Sequence, residues 1–236
     1  MNIIAKYKEK DKGMTGLVNL GNTCFLNSCM QILNHTYELI DVLENPNIEK
    51  NIKQNIPEYS LIQEWNELRK LMWSNNGIIS PNKFVFNIHT LAKKKKRDLF
   101  TGWAQNDMSD FLLFFIESIH NSISRSVHIK ISGKKMDQTD DLAIQCYKML
   151  QTIYAKEYSN VMDIFYGIYV SQILSKDGTH IHTNKPEVYF ILDLPIPEEK
   201  EKNTIYDCFD LFTQSEIMEN ENAWFNEKTG FKENIQ

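Results

Sequence analysis

Apolar residues recur at helical spacing through the first two-thirds of the chain and predict a series of amphipathic helices. The first helix follows a short extended or turning segment at 13–21. Either Asn22 or Thr23 could cap it, because a side-chain oxygen there accepts hydrogen bonds from the first free helix amides. Its inward stripe is predicted to consist of Phe25, Cys29, Ile32 and Leu33. Cys24 is therefore expected in the first turn of a buried helix.

Four further helices are predicted from the same period and from capping signals. Ser60 and Gln63 form a capping-box pattern, Ser80-Pro81 opens a third helix, a fourth runs from Asp107 to Ile123, and Thr139 caps a fifth. In chain order, the residues expected to face inward are Leu61, Trp65, Leu68 and Met72, then Phe84, Ile88 and Leu91, then 111–116, and finally Leu142, Cys146, Met149 and Ile153.

Beyond Ser159 the hydrophobic pattern changes to that of β-structure. Residues 164–174 are rich in β-branched and aromatic side chains, and the turn signal Lys176-Asp177-Gly178 follows. A half-buried strand up to Pro195 is then predicted by the alternation of Val188, Phe190, Leu192 and Leu194. Helices followed by antiparallel strands indicate an α+β fold.

Composition excludes several classes of protein. The 236 residues correspond to one or two domains, and a net charge of −5 argues against a nucleic-acid or membrane-surface binder. Neither a transmembrane stretch nor the apolar core of a signal peptide is apparent. Four dispersed cysteines predict reduced thiols and an intracellular setting, cytoplasmic or nuclear. The basic run 93–97 could be a nuclear-import signal or an anion-binding patch, but we favour a solvated helix end.

The position of Cys24 suggests nucleophilic chemistry. The positive end of a helix dipole favours the thiolate form of a cysteine. Asn19 and Asn22 flank Gly21, so a tight turn could bring either amide towards the Cys24 sulfur as an oxyanion donor. Taken alone, this pattern is weak, because a cysteine in an apolar helix is more often an inert core residue.

A longer motif around Cys24 changes that balance. Residues 16–28, GLVNLGNTCFLNS, closely resemble the cysteine box of the ubiquitin-specific proteases, which are deubiquitinating cysteine peptidases with a papain-like core. The resemblance implies that Cys24 is the nucleophile that attacks the carbonyl of ubiquitin's C-terminal glycine. It also implies that Asn19 stabilises the oxyanion.

A second motif lies at the start of the fourth helix. Residues 105–112, QNDMSDFL, resemble the family's glutamine–aspartate box. The resemblance implies that Gln105, Asp107 and Asp110 bind the tail of ubiquitin, with the two carboxylates holding its arginines through charge-assisted hydrogen bonds. Asp110 stands where the family usually has Glu, and Asp107 could equally serve as the helix cap.

The later segments resemble the family's fingers region. Its strands are matched by 163–167 and 192–197, and its returning segment by 207–212 and 222–225. By this resemblance the two Cys-x-x-Cys zinc pairs of many members would fall at Ser175, Gly178, Asn226 and Thr229. None of these supplies a thiolate, and His180 and His182 are only two ligands, so we predict no metal and no cofactor. Cys29, Cys146 and Cys208 are interpreted as core thiols.

The general base of a cysteine peptidase is not apparent. The resemblance implies a histidine in a Gly-His-Tyr-like context, oriented by Asp or Asn, well downstream of the fingers. The chain contains six histidines, and none stands in such a context. We therefore expect a downstream or separate segment to supply the catalytic histidine.

These observations combine into one expectation. The chain is predicted to be an α+β, papain-like cysteine peptidase with a polar leader at 1–13, a helical thumb at 14–158 and antiparallel β fingers at 159–236. The C-terminal palm with its histidine box is expected to be missing. The expected function is thiol-dependent hydrolysis after the C-terminal glycine of ubiquitin, with ubiquitin or a ubiquitinated protein as partner. The alternative is a catalytically inactive ubiquitin-binding or scaffold module.

Overall fold

The computed structural model describes residues 12–198 and 203–236. Most of the leader predicted at 1–13 lies outside these residues. The chain divides into two compact units, which we call the helical unit (12–128 and 154–165) and the hairpin unit (129–153 and 166–236). Within the described residues, no helix is both long and apolar enough to cross a membrane.

The regular elements follow one another along the chain with short connections. The α-helices are α1 (Cys24–Asn34), α2 (Tyr37–Glu44), α3 (Pro46–Glu49), α4 (Tyr59–Ser74), α5 (Asn82–Lys94), α6 (Met108–Ile123), α7 (Gln138–Lys156), α8 (Asn160–Phe165) and α9 (Ile205–Phe212). The strands are β1 (Gly16–Leu17), β2 (Ile78–Ile79), β3 (Gly167–Leu174), β4 (Ile181–Tyr189), β5 (Trp224–Asn226) and β6 (Phe231–Glu233).

The helical unit is built around an aromatic core. The rings of Trp65 and Phe84 both meet the Phe115 ring edge-on, with centroid distances of 5.6 Å and 5.8 Å. Such edge-to-face pairs add stabilisation beyond the apolar area that they bury. The inward faces predicted for α4 and α5 are confirmed, because every residue named for them is buried.

The predictions for the ends and faces of these helices hold less well. Ile32 is 61% exposed, so its predicted place in the core is wrong. The capping box at Ser60 and Gln63 is also wrong, because α4 begins at Tyr59 and the Ser60 hydroxyl donates to the Pro57 carbonyl instead. By contrast, α6 begins within one residue of its predicted start.

A small parallel sheet leads the chain into the cysteine segment. In it β1 pairs with β2, Gly16 opposite Ile78. The amide of Gln31 on α1 donates to the Thr15 carbonyl at 2.8 Å, and Asn27 donates to the Val18 carbonyl at 3.1 Å. These two hydrogen bonds join α1 to the segment that precedes it, so both ends of the turn between them are fixed.

The hairpin unit contains two antiparallel hairpins. β3 pairs with β4 around the predicted turn at 176–178, with Gly167 opposite Tyr189. β4 ends at Tyr189, so the predicted strand through Leu192 and Leu194 is wrong beyond that point. In α7 the residues expected to face inward are only half-buried, because no described layer of this unit fully covers the helix.

Candidate functional site

Cys24 is the first residue of α1, and its side chain is exposed. It follows a five-residue turn, 19–23, in which Gly21 and Asn22 both have left-handed backbone angles (φ 93° and 54°). Glycine and asparagine are the residues that adopt this conformation most readily. The residues of the turn are therefore suited to its backbone conformation. The turn places the thiol at the N-terminal end of a helix.

The side chain of Asn19 is oriented by this turn. Its Oδ1 accepts hydrogen bonds from the Gly21 amide (3.2 Å), the Thr23 amide (3.0 Å) and the Thr23 hydroxyl (3.1 Å). Three donors converging on one atom fix the amide with its oxygen facing the turn. The Asn19 Nδ2 donor consequently faces away from them, and it makes no hydrogen bond to any described residue.

The predicted cap of α1 is not formed by either candidate. Thr23 occupies the capping position, but its hydroxyl accepts from the Leu20 amide at 3.0 Å and donates to Asn19. The Nδ2 of Asn22 donates to the Trp103 carbonyl at 3.1 Å. Of the two asparagine amides proposed from sequence, that of Asn22 is thus engaged elsewhere, and that of Asn19 retains its donor.

Cys29, one and a half turns along α1, is in a very different environment. It is 1% exposed, and its thiol donates to the Met108 carbonyl at 3.5 Å. Burial, with a smaller contribution from the charge of Asp107, raises the pKa of the Cys29 thiol to about 11. Its interpretation as a core thiol is confirmed, whereas Cys146 and Cys208 are only half-buried.

The acidic residues of the second motif lie at the N-terminus of α6. Asp107 caps this helix, since its Oδ1 accepts from the Ser109 amide at 2.7 Å. Its second carboxylate oxygen and both oxygens of Asp110 accept no hydrogen bond within the described part of the chain. Gln105 and Asp110 are exposed. The Cys29–Met108 contact ties the start of α6 to α1, so the two motifs belong to one packed region of the helical unit.

The four histidines of the helical unit all have other surroundings. His35 lies at the far end of α1, where its Nδ1 is 2.9 Å from the Gln31 carbonyl oxygen. The His89 ring packs edge-on against Trp103, and the His120 Nδ1 lies 2.8 Å from the Ser159 hydroxyl. His128 is exposed. Within the described ranges, none of these four rings hydrogen-bonds Cys24.

The four positions where the resemblance would put zinc ligands carry local hydrogen bonds. Glu233 Oε1 accepts from Asn226 Nδ2 at 2.9 Å and from Thr229 Oγ1 at 2.7 Å. The Ser175 hydroxyl donates to Asp177, which also accepts from the Thr179 amide. No group of three or more His, Cys, Asp or Glu side chains suited to a metal ion occurs in the described part of the chain.

Two residues near the site were not singled out from sequence. Trp103 and His89 contact each other beside the turn, and only the fold brings them there. Trp103 lies two residues before Gln105, and this closeness to the second motif was the one feature of the sequence that could have indicated its place near the site.

A family model described as ubiquitin carboxyl-terminal hydrolase matches residues 15–221, which is most of the chain. The chain belongs to this family. Human ubiquitin carboxyl-terminal hydrolase 2 is 28% identical over 213 residues, which cover 88% of this chain and 34% of the relative. Rat ubiquitin carboxyl-terminal hydrolase 19 is 29% identical over 205 residues, or 82% of this chain and 14% of the relative. The chain thus spans about a third of the length of the first relative and about a seventh of the second.

Solved structures give the fold independently. The SAGA DUB module containing Ubp8, Sgf11, Sus1 and Sgf73, bound to monoubiquitin, matches 95% of this chain and 44% of the matched chain with a TM-score of 0.65 and 20% identity. The same module bound to ubiquitin aldehyde matches 99% of this chain and 48% of the matched chain, with the same TM-score and identity. The α+β, papain-like fold predicted from sequence is therefore confirmed, as is the resemblance to the ubiquitin-specific proteases.

Proposed function

We propose that this chain carries the nucleophile half of a deubiquitinase that hydrolyses the bond after the C-terminal glycine of ubiquitin. The observation that carries the proposal is one turn that places an exposed Cys24 at a helix N-terminus and, five residues earlier, fixes the side-chain oxygen of Asn19 with three donors. A matched relative structure bound to monoubiquitin supports ubiquitin as the partner.

The chemistry follows from the roles of these two side chains. The Cys24 thiolate attacks the carbonyl carbon of the glycine, and the negative charge that develops on the carbonyl oxygen is stabilised by the Asn19 Nδ2 donor. Collapse of this intermediate forms a thioester and expels the amine. A histidine from a downstream or separate segment supplies the proton to that amine, and water then hydrolyses the thioester.

The acidic end of α6 serves to hold the substrate. Ubiquitin's tail carries arginines, and carboxylates that have no ion pair within the described part of the helical unit are suited to bind them. Asp107 uses one oxygen as the helix cap and has the other free for a guanidinium. Asp110 and Gln105 are exposed beside it and provide further hydrogen-bonding groups.

A second candidate function is a catalytically inactive ubiquitin-binding or scaffold module. The surroundings of the four histidines of the helical unit favour it, because His35, His89 and His120 are engaged with other groups and His128 is exposed. In that case the acidic residues would still bind the tail, but the thioester would not form.

The two functions are separated by ubiquitin that carries a C-terminal electrophile. We expect the probe to label the full chain and the Cys208→Ala control, and to leave Cys24→Ala unlabelled. Binding of ubiquitin without labelling would favour the inactive module. Neither binding nor labelling would contradict both functions.

Isosteric changes test the individual roles. Asn19→Asp keeps an oxygen for the three donors of the turn but removes the Nδ2 donor, so labelling should fall by about 100-fold. Asp107→Asn keeps a good helix cap and removes the charge, so ubiquitin affinity should fall by about tenfold. Asp98→Asn, at an exposed site outside the motif, is the matched control and should change neither quantity.

A further inference from the structure

One hydrogen bond links the turn before Cys24 to the loop before Asp107. The Nδ2 of Asn22 donates to the Trp103 carbonyl at 3.1 Å across 81 positions of sequence. Asn22 is held in the left-handed region (φ 54°), which is uncommon for a residue with a side chain. A residue kept in this conformation and joined to a distant loop points to a role beyond closing the turn.

The same loop is held from its other side by His89 on α5. The His89 ring meets the Trp103 ring edge-on, with centroids 5.0 Å apart, and it lines the same cavity as Gly102. Trp103 itself is 55% exposed, so burial alone does not fix it. Its position depends on Asn22 at its carbonyl and on His89 at its ring.

The turn and the loop are closely packed. They face each other across a cavity of about 10 Å³, lined among others by residues 21–23, His89 and residues 102–104. This volume holds one water molecule at most. A shift of the loop is therefore transmitted to the turn, and the loop continues directly into Gln105 and Asp107.

We propose that Asn22, Trp103 and His89 form a clasp that sets the position of the Cys24 turn relative to the tail-binding residues Gln105 and Asp107. Asn22 is then a positioning residue: it touches no reacting atom, but it aligns the thiol with a glycine carbonyl delivered by a tail that the acidic residues hold. The inference rests on the proposed function and adds the element that couples its two motifs.

Asn22→Gly in the full chain tests the clasp, because glycine adopts the left-handed angle without strain and only the amide is lost. The probe is ubiquitin with a C-terminal electrophile, and its apparent affinity and its maximal labelling rate are measured separately. We expect the maximal rate to fall by about tenfold, since misalignment acts on the reacting geometry. Alkylation of Cys24 by iodoacetamide and the melting temperature should stay at the wild-type values.

Asn220→Gly is the matched control, because Asn220 also has a left-handed backbone (φ 57°) and lies outside the site. His89→Phe keeps an aromatic ring against Trp103 but changes the size and polarity of the ring that makes the edge contact, so it should give a smaller loss that is not additive with Asn22→Gly. A maximal rate in Asn22→Gly equal to that of the wild type overturns the clasp alone. So does an equal loss of iodoacetamide reactivity. A wild-type chain that the probe does not label overturns the proposed function, and the clasp with it.

Discussion

The helical unit and the hairpin unit differ sharply in the number of hydrophobic side chains that they bury. Nearly all the buried hydrophobic side chains of the described residues belong to the helical unit, where Trp65, Phe84, Phe111 and Phe115 form the centre. In the described part of the hairpin unit, Ile235 is the one buried hydrophobic residue. Its exposed apolar side chains include Ile205, Tyr206 and Phe231.

This difference indicates how stability and function are divided. Burial of apolar area is the main driving force of folding, so the buried core stabilises the helical unit. The hairpin unit depends on strand pairing and on side-chain hydrogen bonds such as those to Glu233, which are individually weak in water. Every residue proposed for catalysis or tail binding lies in the helical unit.

The largest expected effect comes from removing one tryptophan in each unit. Trp65→Ala should lower the free energy of unfolding by about 3–5 kcal/mol, because it opens a cavity in a closed core. Trp224→Ala, at a half-buried position in β5, should cost about 1 kcal/mol. Urea unfolding followed by circular dichroism measures both. Equal losses would contradict the contrast between the units.

A smaller effect is expected from a lysine–glutamate pair in each unit. Lys95 Nζ lies 2.7 Å from Oε1 of the buried Glu58. Burial raises the pKa of the Glu58 carboxyl, but the hydrogen bond and charge of Lys95, with other hydrogen bonds, outweigh it, so that the net pKa is lowered. Lys95→Met leaves a buried carboxylate without its cation and should cost about 1–3 kcal/mol.

The matched variant is Lys176→Met in the hairpin unit. Lys176 Nζ is 2.8 Å from Glu219, but both side chains are about half exposed. We expect a loss below about 0.5 kcal/mol in the same urea titration, since exposed pairs are screened by water. A loss as large as that of Lys95→Met would mean that charge pairs stabilise the two units alike.

Acid should weaken the β5–β6 hairpin. Hydrogen bonds from Thr229 and Asn226, together with the nearby His182, hold the pKa of Glu233 below its ordinary value of 4.5. A lowered pKa in the folded state contributes stability above pH 4.5, and this contribution is lost as the pH falls through the folded pKa. The protection of the β5–β6 amides from hydrogen exchange, relative to their intrinsic exchange rates, should therefore fall below pH 4.5. Glu233→Gln should remove this acid dependence.

The smallest expected effect is that of a chelator. The zinc positions implied by the resemblance carry Ser175, Gly178, Asn226 and Thr229, and hydrogen bonds to Asp177 and Glu233 occupy three of them. An excess of EDTA should leave the melting temperature of the full chain unchanged. A fall of several degrees, reversed by zinc, would contradict the prediction that no metal is bound.

Sequence predicted the helical unit better than the hairpin unit for the same physical reason. Leu61, Trp65, Leu68 and Met72 could be assigned to one face because that face is buried in a core. Helix α7 was also predicted, but it begins at Gln138, so the predicted cap at Thr139 is wrong, and its apolar face is only half covered. Helix α9 was not assigned, although Thr204 and Asp207 form the capping box that would have indicated it.

Local chemistry also limited what could be predicted at the site. Both motifs could be recognised along the chain, and the cap at Asp107 was anticipated. The role of the Thr23 hydroxyl could not be assigned, because the turn engages it with both the Leu20 amide and the Asn19 side chain and leaves it unable to cap α1. The contacts of Trp103 with Asn22 and His89 join segments distant in sequence, so no periodicity or spacing indicated them.

The hydrogen bonds that orient Asn19 all arise within five consecutive residues. These hydrogen bonds need no partner from a distant segment, so a substitution elsewhere in the chain can change the orientation of Asn19 only by displacing the whole turn. In the proposed function, the Asn19 donor is oriented before any substrate arrives, so its side chain need not be reordered when the tetrahedral intermediate forms.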